Sequence, residues 1–138
     1  MTYLIDTNVL SELWKKEPDP RVALWWNNLQ ASDDDWYLPV PVLAEIQEGA
    51  EATPGVKERA QLIARLDAFC AGHGEFILDW DAETARMWGR LKHSPDVKRH
   101  PQPLWDSLMD AMAVRYDYVI ATRNVKDFRH ADTFNPWQ

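Results

Sequence analysis

Residues 3–8 read YLIDTN, and the chain continues as VLSEL to Leu13. A short apolar run ends on a carboxylate, two small polar residues follow, and an amphipathic helical pattern begins. A buried strand passing directly into a helix predicts a sheet covered by helices. Asp6 has two meanings at this junction. Asp, Thr or Asn between strand and helix is ordinary N-cap chemistry, and the carboxyl end of a strand is also where open α/β sheets place ligand-binding side chains. The remainder of the chain must separate them.

The same alternation recurs. Strands are expected at Tyr3–Ile5, at Trp36–Val40, within GHGEFILDW before Asp81, and at Tyr118–Thr122. Helices are expected over Val9 to about Lys16, after Pro20, from Pro41 to Ala50, and over Val56–Phe69, Asp81–Leu91 and Pro103–Tyr116. HSPDVKRHPQP, residues 93–103, reads as a loop, and RNVKDF, residues 123–128, as a short turn. Short strands separated by helices imply a single α/β domain over residues 1–138, with helices on both faces of a mainly parallel sheet.

That geometry sorts the polar residues. Asp6 ends the first strand, Thr122, Arg123 and Asn124 end the last, and Asp106 opens the helix that feeds it. Glu45 falls at the border of the apolar face formed by Val42, Leu43, Ile46 and Ala50, from where a carboxylate can point into a cleft. Each acid also has an ordinary explanation: Asp106 complements a helix dipole, and Asp106, Asp110 and Asp117 share a sector away from Leu104, Leu108 and Met112, as a solvated face would.

Composition bounds the partners. With 138 residues, 46% of them apolar, and eight tryptophans, the chain can bury a substantial core. No run approaches the roughly 20 apolar residues of a membrane span, and no leader pattern precedes Tyr3, so a soluble, cytoplasmic protein is expected. The single cysteine, Cys70, excludes an internal disulfide and reads as a buried thiol, and the four histidines have no zinc-ligand spacing with it. The net charge of −7 argues against a nucleic-acid partner, but the charge is uneven. Residues 1–50 hold nine acids against three bases, whereas Arg86, Arg90, Lys92, Lys98 and Arg99 face only Asp96. Such a basic cluster is either a solvated face or a guide for a polyanion.

LIDTNVLSEL (4–13), PVLAEIQEGA (41–50), WDSLMDAMA (105–113), ATRNVKDF (121–128) and the terminal FNPW (134–137) together resemble the PIN domain, in the branch of the VapC and FitB toxins. The resemblance covers nearly the whole chain. It implies a three-layer α/β/α sandwich with a four- to five-stranded sheet, metal-dependent endoribonuclease activity on RNA, a small antitoxin with a basic and apolar C-terminal tail as partner, and a homodimer. Carried over by position, Asp6 matches the first metal carboxylate, Glu45 the acid of the second motif and Asp106 the third. The fourth acidic position holds Asn124, which either suffices as a neutral ligand through its carbonyl oxygen or is assisted by Asp127 or, as the weaker candidate, by Asp110, one helical turn beyond Asp106.

Converging carboxylates resist ionising together unless a cation compensates them, which suits Mg²⁺ or Mn²⁺. Asp6 and Asp106 are expected as principal ligands and Glu45 as a ligand or a base that orients water. Thr7, Asn8, Thr122 and Arg123 are expected as polar contacts to substrate. A haloacid-dehalogenase-type phosphohydrolase is a poor alternative, because Asn8 cannot supply its acid/base carboxyl. The open alternatives are a non-catalytic interaction module on the same fold and an RNA-processing nuclease outside a toxin pair.

Overall fold

The computed structural model describes residues 1–138. Five strands, β1 (Thr2–Ile5), β2 (Asp35–Pro39), β3 (Ile77–Leu78), β4 (Val119–Ala121) and β5 (Thr133–Phe134), form one sheet in the order β3-β2-β1-β4-β5. Every neighbouring pair is parallel. Seven helices complete a three-layer α/β/α sandwich: α1 (Thr7–Leu13), α2 (Pro20–Ala31), α3 (Val40–Glu51), α4 (Val56–Gly72), α5 (Ala82–Lys92), α6 (Pro95–Arg99) and α7 (Leu104–Tyr116). None is long and apolar enough to cross a membrane.

β1 is central, and the chain leaves it first toward β2 and later returns on its other side as β4. A crevice at the carboxyl ends of β1 and β4 is the place such a reversal opens. Leu4, Ile5, Leu38 and Ile120 are buried in the middle of the sheet against Val9, Val42, Met109 and Met112. Parallel strands covered on both faces have no polar side to show, which is why the strands read as short apolar runs and not as alternations.

Four local expectations change. α1 starts at Thr7, directly after Asp6, because Asp6 itself is the N-cap. The segment 93–103 is not all loop: Ser94 accepts a hydrogen bond from the Val97 amide, Pro95 occupies the first turn and α6 forms before Pro101 stops it. β5 was not anticipated as a strand, since two residues carry no periodicity. Cys70 is half-buried, not buried.

Candidate active site

Asp6, Thr7, Asn8, Glu45, Asp106 and Asn124 line one cavity of about 260 Å³ without a single apolar wall residue. The two meanings of Asp6 are therefore compatible. It caps α1, with Oδ1 accepting from the Thr7 amide at 2.7 Å, and its carboxylate faces the cavity. Oδ2 accepts from Thr122 Oγ1 at 2.7 Å and from Asn8 Nδ2 at 3.2 Å. Asn8 Nδ2 also reaches Thr122 Oγ1 at 3.3 Å, while Asn8 Oδ1 accepts from the Arg123 amide at 3.2 Å. The Asn124 amide donates to Thr122 Oγ1 at 3.0 Å. This mesh ties the end of β1 to the end of β4 and holds Asp6 in one orientation.

Burial raises the carboxyl of Asp6 above its ordinary value, and the charge of Glu45 adds to the rise, while the bonds from Thr122, Thr7 and Asn8 oppose it. Asp106 has no such relief. Desolvation is the first cause, and the charges of Asp6, Asp127, Glu45 and Asp110 follow; together they push Asp106 up to about 7. The cavity therefore concentrates negative charge that the protein itself leaves unbalanced.

The expected substrate contacts divide. Thr7 and Asn8 line the cavity, and Thr7 Oγ1 is buried with no partner. Thr122 is sealed from solvent, and its hydroxyl is committed to Asp6, so it orients that carboxylate and cannot meet a substrate. Arg123 is exposed outside the cavity lining, with its guanidinium 5.1 Å above the Trp137 ring.

The fourth position is resolved unequally. Asn124 lines the cavity. Asp127, in the single helical turn Val125–Asp127, stands behind it, outside the lining but near enough for its charge to act on Asp106. Asp110 is not on a solvated face. It is 1% exposed and gathers the amides of Arg129 (3.2 Å), His130 (3.2 Å) and Ala131 (2.9 Å), together with Gln102 Nε2 (3.2 Å). Its fixed role is to hold the loop after β4. Gln102 extends that role by donating to the Asp127 carbonyl at 2.8 Å. Neither Gln102 nor His130 stands out in the sequence, because their shared partner is brought to them only by the fold. Ser94 Oγ, 3.0 Å from His130 Nε2, and Asp110 Oδ2, 3.1 Å from His130 Nδ1, line up as in a serine hydrolase. The chain serves as a brace here: Ser94 caps α6, and Asp110 is saturated by main-chain donors.

The donor set suits a hard cation, being carboxylate, amide and hydroxyl oxygens with no thiolate or imidazole. The three acids ring the cavity without closing on a single point, and no three Asp, Glu, His or Cys side chains do so anywhere in the chain.

The profile of the PIN domain family matches residues 3–133. The chain belongs to the PIN domain family. The matched range includes all six residues that line the cavity. Among PIN relatives, a VapC ribonuclease, Y4jK of Sinorhizobium fredii, is 33% identical over 98% of this chain and 97% of its own. Toxin FitB of Neisseria gonorrhoeae is 29% identical over 97% of each chain. The crystal structure of FitAcB from Neisseria gonorrhoeae superposes with a TM-score of 0.82 at 28% identity, covering 99% of both chains.

Proposed function

We propose that this PIN domain is a metal-dependent endoribonuclease and the toxin of a toxin-antitoxin pair. The observation that carries the reading is the convergence of Asp6, Glu45 and Asp106 on one cavity with no apolar wall residue; desolvation and the neighbouring acids push Asp106 up to about 7 there, and a cation would offset that repulsion. The ribonuclease and toxin names of the relatives point the same way. Asp6 and Asp106 would hold Mg²⁺ or Mn²⁺, with Glu45 as a further ligand or the base that orients water. Such an ion supplies positive charge that acidifies water near neutral pH and balances charge growing on phosphoryl oxygens.

The side chains do the rest. Thr122 and Asn8 fix the orientation of Asp6 and hold the β1 and β4 ends at constant separation. Glu45, on α3, adds a third carboxylate to the lining, and as a base it would take a proton from water that attacks phosphorus. Thr7 contributes through its amide, which donates to Asp6 Oδ1 at 2.7 Å, while its Oγ1 is buried.

An antitoxin tail that placed an Arg or Lys among these acids would form charge-assisted bonds and displace the cation. A neighbouring apolar cavity of about 420 Å³, lined by Leu10, Trp14, Trp26, Trp36, Phe69 and Phe76 among others, offers its apolar residues a seat. α1 connects the two cavities, since Asp6 caps it and Leu10 lies on it. A homodimer is part of the same proposal.

The test is cleavage of labelled single-stranded RNA by purified protein with Mg²⁺, with Mn²⁺ and with chelator, alone and after addition of the product of the adjoining short reading frame. Cleavage only with metal, and its loss with the partner bound, is expected. Cleavage that persists in chelator overturns the metal assignment, and no cleavage under any condition overturns the enzyme.

A further inference from the structure

Arg86, Arg90, Lys92, Lys98 and Arg99 are exposed on the surfaces of α5 and α6, as a solvated face requires. Arg123 is exposed too, but its main chain belongs to the mesh behind the carboxylates. Its amide donates to Asn8 Oδ1 at 3.2 Å. Thr122, before it, is bonded to Asp6; Asn124, after it, donates its amide to Thr122 Oγ1 and lines the cavity. The side chain of Arg123 therefore starts between two residues that the carboxylate site holds in place.

The guanidinium has a seat of its own, 5.1 Å over the Trp137 ring. Trp137 is itself 6% exposed and part of the core. A turn beyond the carboxyl end of β5 brings it there. The Thr122 amide donates to the Phe134 carbonyl at 2.9 Å, which ties the last residue of β5 to the residue before Arg123. Asn135 Oδ1 then accepts from the Trp137 amide at 2.9 Å, and the Asn135 carbonyl accepts from the Gln138 amide at 3.2 Å. β5 is parallel to β4 and β4 to β1, so this turn stands at the same edge of the sheet as Asp6 and Asn124. No acid of the chain neutralises Arg123, since the arginines paired with carboxylates are Arg21, Arg99 and Arg115. A flexible cation is thus given a buried aromatic floor, and its charge is left free.

We propose that Arg123, seated on Trp137, binds a backbone phosphate of single-stranded RNA next to the scissile one, and that Trp137 is the residue that positions it. The inference rests on the ribonuclease reading and adds what that reading lacks. A cavity ringed by acids repels a polyanion, and a cation anchored beside it offsets the repulsion. Arginine suits the task, because its face can lie on an aromatic ring while its planar fork still offers N–H groups to phosphate. Restricting the side chain before the ligand arrives reduces the entropy lost on binding. The contact is to backbone, so it confers affinity and register without base preference.

The test measures binding of a labelled oligouridylate of about 12 nucleotides by anisotropy across a salt series, in chelator so that no cleavage intervenes. R123A, at an exposed position, should weaken binding on the order of tenfold at low salt and lower the slope of log affinity against log salt by about 0.7, the loss of one single-strand phosphate contact. K57A, the same charge change on α4, should leave the slope in place. Trp137→Leu keeps an apolar side chain in the core and removes the ring; it should weaken binding about threefold with Arg123 present and leave it unchanged in the R123A background. Trp137→Phe, which keeps a smaller ring, should fall between Trp137→Leu and the native chain. Equal losses in both backgrounds would make Trp137 structural only and overturn its positioning role. An R123A slope equal to that of the native chain overturns the phosphate contact and leaves the ribonuclease reading standing. If the native chain itself fails to bind, both fall.

Discussion

Asp106 and Asp110 sit one turn apart on α7, and their surroundings differ completely. Asp110 is 1% exposed and receives hydrogen bonds from three consecutive amides, from Gln102 and from His130. Asp106 is half-buried, no hydrogen bond offsets its desolvation, and four acids raise it to about 7. A carboxylate saturated with donors is finished as structure. One left without donors, among like charges, is incomplete until something positive arrives. Helical phase, which places the two side chains in one sector, does not distinguish them; the donors do.

The most severe way to test the contrast is to neutralise each acid without changing its volume. Asp106→Asn should reduce metal-dependent RNA cleavage by about a hundredfold or more, since it removes charge that the cation needs, and should leave the urea midpoint of the metal-free protein unchanged or raised. Asp6→Asn should lose activity to the same extent. Cleavage rates within a few-fold of the native protein, in variants with native circular dichroism, would remove these residues from the site. Asp110→Asn should act on stability first, costing about 2–4 kcal/mol because buried amides lose a charged acceptor and one amide hydrogen faces them instead. Urea unfolding measures this directly, and an unmoved midpoint would show that Asp110 does not hold the loop.

Much of this site is legible before any coordinates. Asp6 lies at a strand end, and the two-sided apolar strands put a crevice there; Glu45, whose angle at the border of an apolar helix face also allows a surface position, is singled out by the PIN resemblance. What escapes pattern is whatever depends on convergence from afar. The partners of Asp110 come from Gln102 and residues 129–131, on both sides of α7 in the chain, so its burial has no local signature. The role of Thr122 depends on whether a hydroxyl at a strand end points outward or back to β1, and only the register Ile5↔Ala121 decides it. β5 and α6 are too short for periodicity, although Ser94, Pro95 and Asp96 supply a cap signal that a closer reading of residues 93–103 detects.

A smaller effect follows from the sign of the Asp106 shift. In the unfolded chain this carboxyl ionises near 3.8, and in the fold only near about 7. Between those values the folded protein keeps a proton that the unfolded chain has released, so metal-free stability should fall as pH rises from about 4 to about 7. Asp106→Asn should flatten that part of the pH profile of the melting temperature. Mg²⁺ should raise the melting temperature more at pH 8 than at pH 5, because it binds the ionised form of the native site alone. A metal response that is equal at both pH values would contradict competition between cation and proton at Asp106.

The mildest test concerns the neutral residue between the two extremes. Asn124 lines the cavity and brings an amide where the PIN resemblance places an acid, while Asp127 stands outside the lining and reaches Asp106 only through its field. If Asp127 supplies the missing charge at a distance, Asp127→Asn should weaken apparent Mg²⁺ affinity by a few-fold, about 1 kcal/mol, as expected for a charge acting through a partly solvated medium. Its effect on cleavage should vanish at saturating metal. Asn124→Asp should do the opposite, tightening Mg²⁺ by a similar factor and raising cleavage most when metal is scarce. The same substitution adds another like charge beside Asp106, so it should lower the metal-free melting temperature at pH 7 and recover it with Mg²⁺. Loss of activity in Asn124→Asp at every metal concentration would show that the amide is required for its donor hydrogen, and that the fourth charge of this site has no vacancy at residue 124.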